Sequence, residues 1–339
     1  MPKKSIIREK LLKLLSEGGE VPQSLLPRLL NASKSRISEV LKILDAEGLI
    51  IKKKIGNQYL ISLKKEYQIS LKKEWRKVLR IAVVWSSEYP FLTTFAKKLS
   101  ERNLKLRLSV YPSAIEATTA AIRGEAELVL APLITELYVA VWTRNLRIIG
   151  GGATGGAYIL KHPEVETGVV ISSKLSTMDA LRAVAIKEGE VPAERTFYFS
   201  KPDELIKSVK RKEVEYAVVW HPLTKKLVNL GMKKIHNIID YDFLNCCTLA
   251  VNTSLSPSLR ALLGKIYEAS LEEFSKNPKR WIEWYSLNVG INPQIVSDAW
   301  AGEYRVSNYV DRKYVEKLLN RVGISIPSTS TYITFIQKE

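Results

Sequence analysis

Two sets of side chains in this sequence have types and spacing that could do chemistry, and they point to different partners. The first lies between residues 34 and 54: Lys34, Ser35, Arg36, Ser38, Glu39 and Lys42, then Lys52, Lys53 and Lys54. Cations pair with phosphates, and short hydroxyls or a carboxylate can reach base edges, so this set suits a nucleic acid. The second set is spread over a longer region: Ser86, Ser87, Tyr89, Tyr111, Pro132, Thr135, Thr154, Ser172, Ser173, Thr177, Trp220 and His221. Most of these follow short apolar runs and precede helical patterns, as Ser113 and Ser200 also do. Hydroxyls that open helices join free backbone N–H groups to hold an anionic group, and the aromatic residues suit a flat or partly apolar body.

The elements that must position the first set read clearly. Ile37, Val40, Leu41 and Leu44 recur at helical spacing, Ser33 is a good N-cap, and Gly48 can end the helix. Lys34, Ser35, Ser38, Glu39 and Lys42 lie off that apolar stripe, with Arg36 at its edge. Ile50–Ile55 and Gln58–Leu63 read as a hairpin about Gly56-Asn57, with the three lysines on its first strand. Upstream, Ile6, Ile7, Leu11, Leu14 and Leu15 make the inner face of a first helix stopping at Gly18-Gly19. Val21 to Leu30 makes a second, capped by Ser24 with Pro27 in its first turn.

Three helices and a hairpin over residues 4–64, with the run S-x-S-x-I-S-x-V-L-x-x-L-x-x-x-G-L-I, resemble the winged helix-turn-helix of MarR-like archaeal and bacterial regulators. The resemblance implies a recognition helix at Ser33–Asp45, a wing carrying Lys52–Lys54, and double-stranded DNA as partner. The rival reading is a helical module for protein contacts only. Charge favours DNA. The 339 residues carry a net +17; residues 1–80 hold 19 Lys+Arg against 8 Asp+Glu, whereas the other 259 hold 33 against 27. Such concentration is the footprint of phosphate binding. Related regulators pair to read two half-sites, so a homodimer is expected. Residues 65–78 read as a linker, helical toward Val78. Tyr67, Leu71, Trp75 and Val78 form a seam on it, available either to a partner subunit or to the chain's own domain.

The second set sits on alternating strands and helices. Leu79–Trp85, Lys105–Tyr111 and Ala126–Ala131 are buried-strand runs separated by helices, the pattern of an open α/β sheet. The order strand, serine loop, helix, strand, helix and then x-G-E-A-E-L-V-L-A-P resembles the type II periplasmic-binding-protein fold. The branch is that of sulfonate, nitrate and thiamine-pyrimidine binding proteins, and LysR-type effector domains share the fold. Thr167–Ser173, Val214–Trp220, Cys246–Asn252 and the helices of Pro257–Tyr285 and Asn288–Trp300 fit the same plan. The implied organisation is a winged helix-turn-helix domain at 1–64, a linker helix at 65–78 and a two-lobed α/β domain at 79–339. Lobe I spans about 79–158 and 245–339, lobe II about 159–244. Together the two resemblances imply a ligand-responsive transcriptional regulator with a small-molecule effector in its cleft. The alternative is an enzyme of the thiamine-precursor or menaquinone type on the same fold.

Other chemistries lack their signatures. Gly150–Gly156 contains G-x-G-x-x-G, but Ala157–Leu160 after it reads as a strand rather than a helix, so a crossover between lobes is expected there, not a dinucleotide site. Cys246 and Cys247 are the only cysteines, and His162, His221 and His236 have no metal spacing. The pair is therefore read as small buried strand residues, with no metal and no cofactor, and no catalytic residue is assigned: there is no nucleophile elbow, P-loop or paired-carboxylate pattern. No apolar run reaches the length of a membrane span, and Met-Pro-Lys-Lys lacks a signal region, so a cytoplasmic protein is expected.

Overall fold

The computed structural model describes residues 7–323 apart from 9, 13, 16–18, 57, 65–77, 244 and 309. The expected linker helix, with Tyr67, Leu71 and Trp75 of its seam, falls at residues 65–77 outside the described residues, as do Ile6, Gly18 and Asn57, while Val78 opens a strand instead of ending a helix. The chain divides into compact units at residues 1–78 and 79–339.

In the first unit the described residues of 7–15 are helical. Leu11 and Leu15 join Leu26, Ile37, Leu41, Leu44, Ile50 and Ile61 in one core. Ser33 caps the helix Lys34–Ala46, its hydroxyl accepting from the Arg36 amide at 3.4 Å. Strands β2 (Ile50–Ile55) and β3 (Gln58–Leu63) pair in antiparallel register from Ile50↔Leu63 to Ile55↔Gln58. The predicted helix at 21–30 is shorter than expected. Val21–Pro22 is instead strand β1, paired to β3 through Val21↔Ile61, and the helix is Leu26–Leu30. A β-branched residue beside Pro22 packs better on the hairpin edge than in a helix turn, while Pro27 sits where no helical N–H is needed.

The second unit has two sheets. Strands β4 (Val78–Val84), β5 (Lys105–Tyr111), β6 (Leu128–Pro132), β7 (Leu146–Gly155), β13 (Cys247–Asn252) and β14 (Tyr304–Ser307) form one, in the order β14-β7-β13-β6-β4-β5. Strands β8 (Ala157–Lys161), β9 (Val169–Ser173), β10 (Arg195–Phe199), β11 (Tyr216–Trp220) and β12 (Lys233–Asn237) form the other, in the order β10-β9-β11-β8-β12. Parallel pairs β4/β6 and β9/β10 are joined by helical crossovers, which cover the sheets and bury the inner strands β6, β9 and β11 on both faces, while the edge strands β10 and β12 stay largely exposed. Antiparallel strands β13 and β8 bring the chain back from one sheet to the other.

The glycine run differs from expectation. Most of it lies inside β7, and only Gly155-Gly156 makes the crossing. Close packing explains the composition: a Cβ at Gly152 would strike the Cys247 carbonyl, and one at Gly156, where φ is +64°, would enter the Tyr304 ring.

Candidate functional site

Between the two sheets of the second unit lies a cavity of about 660 Å3, its open mouth included. The six-stranded lobe supplies Ser86, Glu88 and Tyr89 after β4, Pro112 and Ser113 after β5, Pro132 at the end of β6, and Cys246 with Cys247 where β13 begins. The five-stranded lobe supplies Ser173, Lys174, Ser176 and Thr177 after β9, Phe199 and Ser200 at β10, and Trp220 ending β11. Carboxyl ends of strands are where open α/β sheets leave a crevice.

Several hydroxyls predicted for a ligand are spent instead on joining the lobes. Ser87 donates its amide to the His221 carbonyl at 3.1 Å, and its hydroxyl lies 3.1 Å from the His221 ring. Thr135 donates to the Leu175 carbonyl at 2.6 Å, and Thr154 to the Phe243 carbonyl. None of these four lines the cavity, nor does Tyr111. Ser172 is fully buried, its hydroxyl without a partner among the described residues. Of the expected set, the cavity gathers Ser86, Tyr89, Pro132, Ser173, Thr177 and Trp220. Even there, Thr177 gives its proton to the Cys246 carbonyl (2.7 Å) and Trp220 its indole N–H to the Trp85 carbonyl (2.8 Å). A hydroxyl at a strand end satisfies whichever acceptor is nearest, and in a two-lobed crevice that is often the opposite backbone.

The lining combines positive ends of helix dipoles with an apolar surface. Ser113 caps the helix Ala114–Ile122, Ser176 caps Thr177–Lys187, and Pro132 precedes Leu133–Thr143. Three helix N-termini, each with partial positive charge, therefore begin at its wall, with the exposed Lys174 at the rim. Phe199 and Trp220 stack at 5.9 Å and 20°, giving an aromatic surface.

The floor carries residues that the sequence reading did not assign to the ligand. Glu88 is buried, and burial pushes its carboxyl up to about 8, so it holds a proton at neutral pH. Its Oε2 accepts from the Cys247 thiol at 3.3 Å, while Oε1 has no hydrogen-bond partner. The Cys247 sulfur also lies 3.0 Å from the Tyr89 hydroxyl and 3.9 Å from the Cys246 sulfur. Burial holds the Cys247 thiol well above its ordinary range. The cysteines are buried, as read from the sequence, but beside a carboxyl and a cavity instead of in plain core. Phe199 could have been found by the strand-end rule already applied to Trp220. Glu88 carried no signal beyond position.

In the first unit Lys34, Ser35, Glu39, Lys42, Lys53 and Lys54 are exposed, while Arg36, Ser38 and Lys52 are half-buried. The hairpin lysines do not form one row. Strand alternation puts Lys52 and Lys54 on the face of buried Ile50 and Lys53 on the other, beside exposed Ile51 and Ile55. Lys52 is taken by Asp45 at 2.7 Å.

Residues 7–64 match a sequence family described as a domain of unknown function, DUF7343. No curated protein matches the chain. The ligand-binding component of an ABC-type import system from Staphylococcus aureus, solved with zinc bound, is similar in structure at TM-score 0.63 and 14% identity, over 73% of this chain and 91% of that one. The alkanesulfonate-binding protein SsuA from Xanthomonas axonopodis pv. citri, bound to MOPS, gives 0.62 at 14%, over 77% and 98%. The periplasmic aliphatic sulphonate binding protein SsuA from Escherichia coli gives 0.61 at 13%, over 76% and 97%. The chain thus contains a periplasmic-binding-protein-like α/β fold. No helix among the described residues is long and apolar enough to cross a membrane.

Proposed function

We propose that this chain is a ligand-responsive DNA-binding regulator, acting in the cytoplasm as a homodimer and binding its effector without turnover. The observation that carries the reading is the pairing in one chain of a cavity suited to a small anion with a basic helix-and-hairpin unit. We read that unit as a winged helix-turn-helix in which the helix Lys34–Ala46 enters the major groove and Lys53 and Lys54 meet flanking phosphates. The effector class follows from the cavity: an anionic head at the helix N-termini around Ser113 and Ser176, and an apolar or aromatic tail against Phe199 and Trp220. Sulfonates are the first candidates, because the named binding proteins of similar fold carry alkanesulfonate and aliphatic sulphonate.

The similar proteins named with transport favour a second reading, a solute-binding component of an import system. Both readings place a small molecule in the cavity, and they differ in what residues 1–78 do. A thermal-shift screen of alkanesulfonates, arylsulfonates and aromatic carboxylates tests the cavity. A ligand at a hundredfold excess over its dissociation constant stabilises the unit by about 3 kcal/mol. Ser173→Trp should abolish that shift. Electrophoretic retention of short duplexes drawn from a randomised pool tests the first unit, and failure to enrich any duplex would leave only the solute-binding reading.

A further inference from the structure

We infer that Glu88, Cys246 and Cys247 form a binding site for a thiophilic divalent cation, of which Zn2+ is the representative, on the floor of the cavity.

One oxygen or sulfur from each residue lies within 4.8 Å of the other two. In a tetrahedral zinc site with Zn–S near 2.3 Å and Zn–O near 2.1 Å, two sulfurs stand about 3.8 Å apart, and a sulfur and an oxygen about 3.6 Å. The observed separations are 3.9 Å for Cys246 Sγ to Cys247 Sγ and 3.3 Å for Cys247 Sγ to Glu88 Oε2. Adjacent strand residues normally point to opposite faces. Here Cys246 precedes β13, outside the pleat, and its sulfur turns to the same side as that of Cys247.

Hydrogen bonding alone does not account for the cluster. Glu88 is 1% exposed and lines the cavity, and the thiol of Cys247 satisfies its Oε2, yet Oε1 has no hydrogen-bond partner among the described residues. Leaving such an atom without a partner is costly, and a cation held by the carboxylate removes that cost. Tyr89 supplies outer-shell support, its hydroxyl placed 3.0 Å from the Cys247 sulfur to donate to a thiolate. Two thiolates and a carboxylate around a divalent cation leave one net negative charge. The helix N-termini beginning at Ala114 and Thr177 favour that sign. Three protein ligands leave the fourth position toward the cavity, where water or a small anion completes the shell.

The test uses full-length protein, reduced and stripped with chelator, titrated with Co2+ and then Zn2+. The chain has only two cysteines, so a sulfur-to-cobalt charge-transfer band can arise only at this pair. The expected result is one Co2+ per chain with such a band, bleached by Zn2+. Cys246→Ser and Cys247→Ser should each diminish the band and weaken Co2+, and the double variant should lose it. Glu88→Gln, nearly isosteric and safer for folding, should keep sulfur absorption but weaken Zn2+ by more than the roughly 10- to 100-fold that an outer-shell partner is worth. Circular dichroism of each variant separates lost ligation from lost fold. No band at any cobalt level, a band undiminished by Cys247→Ser in folded protein, or unchanged Zn2+ affinity in Glu88→Gln would overturn the assignment.

Discussion

In residues 1–78 the distinctive ionisable groups stand in solvent: Lys34, Lys42, Lys53 and Lys54 are all exposed. In residues 79–339 they are sealed in: Glu88, Glu136, Cys246 and Cys247 are almost fully buried. The first arrangement acts at a distance and is weakened by salt. The second acts only on contact, and burial keeps its acids protonated until a partner takes the place of water. A basic surface and a polar-floored crevice on one chain suit a long charged polymer and a small molecule respectively.

The contrast can be broken first at Glu136. This carboxyl accepts from the Thr248 hydroxyl and the Ala131 amide, and burial raises it well above its ordinary range. A folded-state value above the unfolded one means that the native protein keeps a proton the unfolded chain has lost. Its contribution to stability is therefore complete below about pH 4.5 and is lost as pH rises toward the folded value, at about 1.4 kcal/mol per pH unit. Glu136→Gln should melt close to wild type near pH 4 and increasingly above it toward pH 8. Parallel melting curves would show that the carboxyl is not held protonated.

The exposed side is sharpened by replacing Lys42, Lys53 and Lys54 together with Ala. DNA affinity should fall for every sequence, and the slope of log K against log salt should flatten by roughly 0.9 per lost phosphate contact. Lys52→Ala should do far less, since that ammonium is already paired with Asp45 and such surface pairs are worth under about 1 kcal/mol. Equal effects from Lys52 and Lys54 would contradict the pairing of Lys52 with Asp45.

A smaller effect is expected at Ser176, whose hydroxyl accepts from the Asp179 amide at 3.3 Å at the helix start beside the cavity. Ser176→Ala should cost about 1 kcal/mol of stability. It should also weaken an anionic ligand, while leaving DNA affinity in the absence of ligand unchanged.

Much of the fold was legible because its signals are local. The stripe Ile37, Val40, Leu41, Leu44 and the lysine hairpin gave their elements almost to the residue, as did Lys105–Tyr111. Where the chain departed from the reading, long-range contacts decided. Val21-Pro22 became a strand because β3 offered it an edge, and the glycines of β7 serve close packing against Cys247 and Tyr267. The site was legible as a place and not as chemistry. Strand ends found the crevice, yet residue type could not tell Ser173, which lines it, from Thr135, which is tied to Leu175. Glu88 and the cysteine pair are more than 150 residues apart, and only the return of β13 brings them together.

If occupancy of the cavity governs DNA binding, fluorescence anisotropy of a duplex enriched by the full chain reads the coupling. The titration is run with and without a sulfonate that raises the melting temperature, at salt between about 50 and 200 mM. The ligand should shift the dissociation constant for DNA by at least about fivefold, in either direction, equivalent to roughly 1 kcal/mol of coupling. The shift should vanish in Ser173→Trp while DNA binding itself persists. Identical curves with and without a ligand that demonstrably fills the cavity would contradict that coupling.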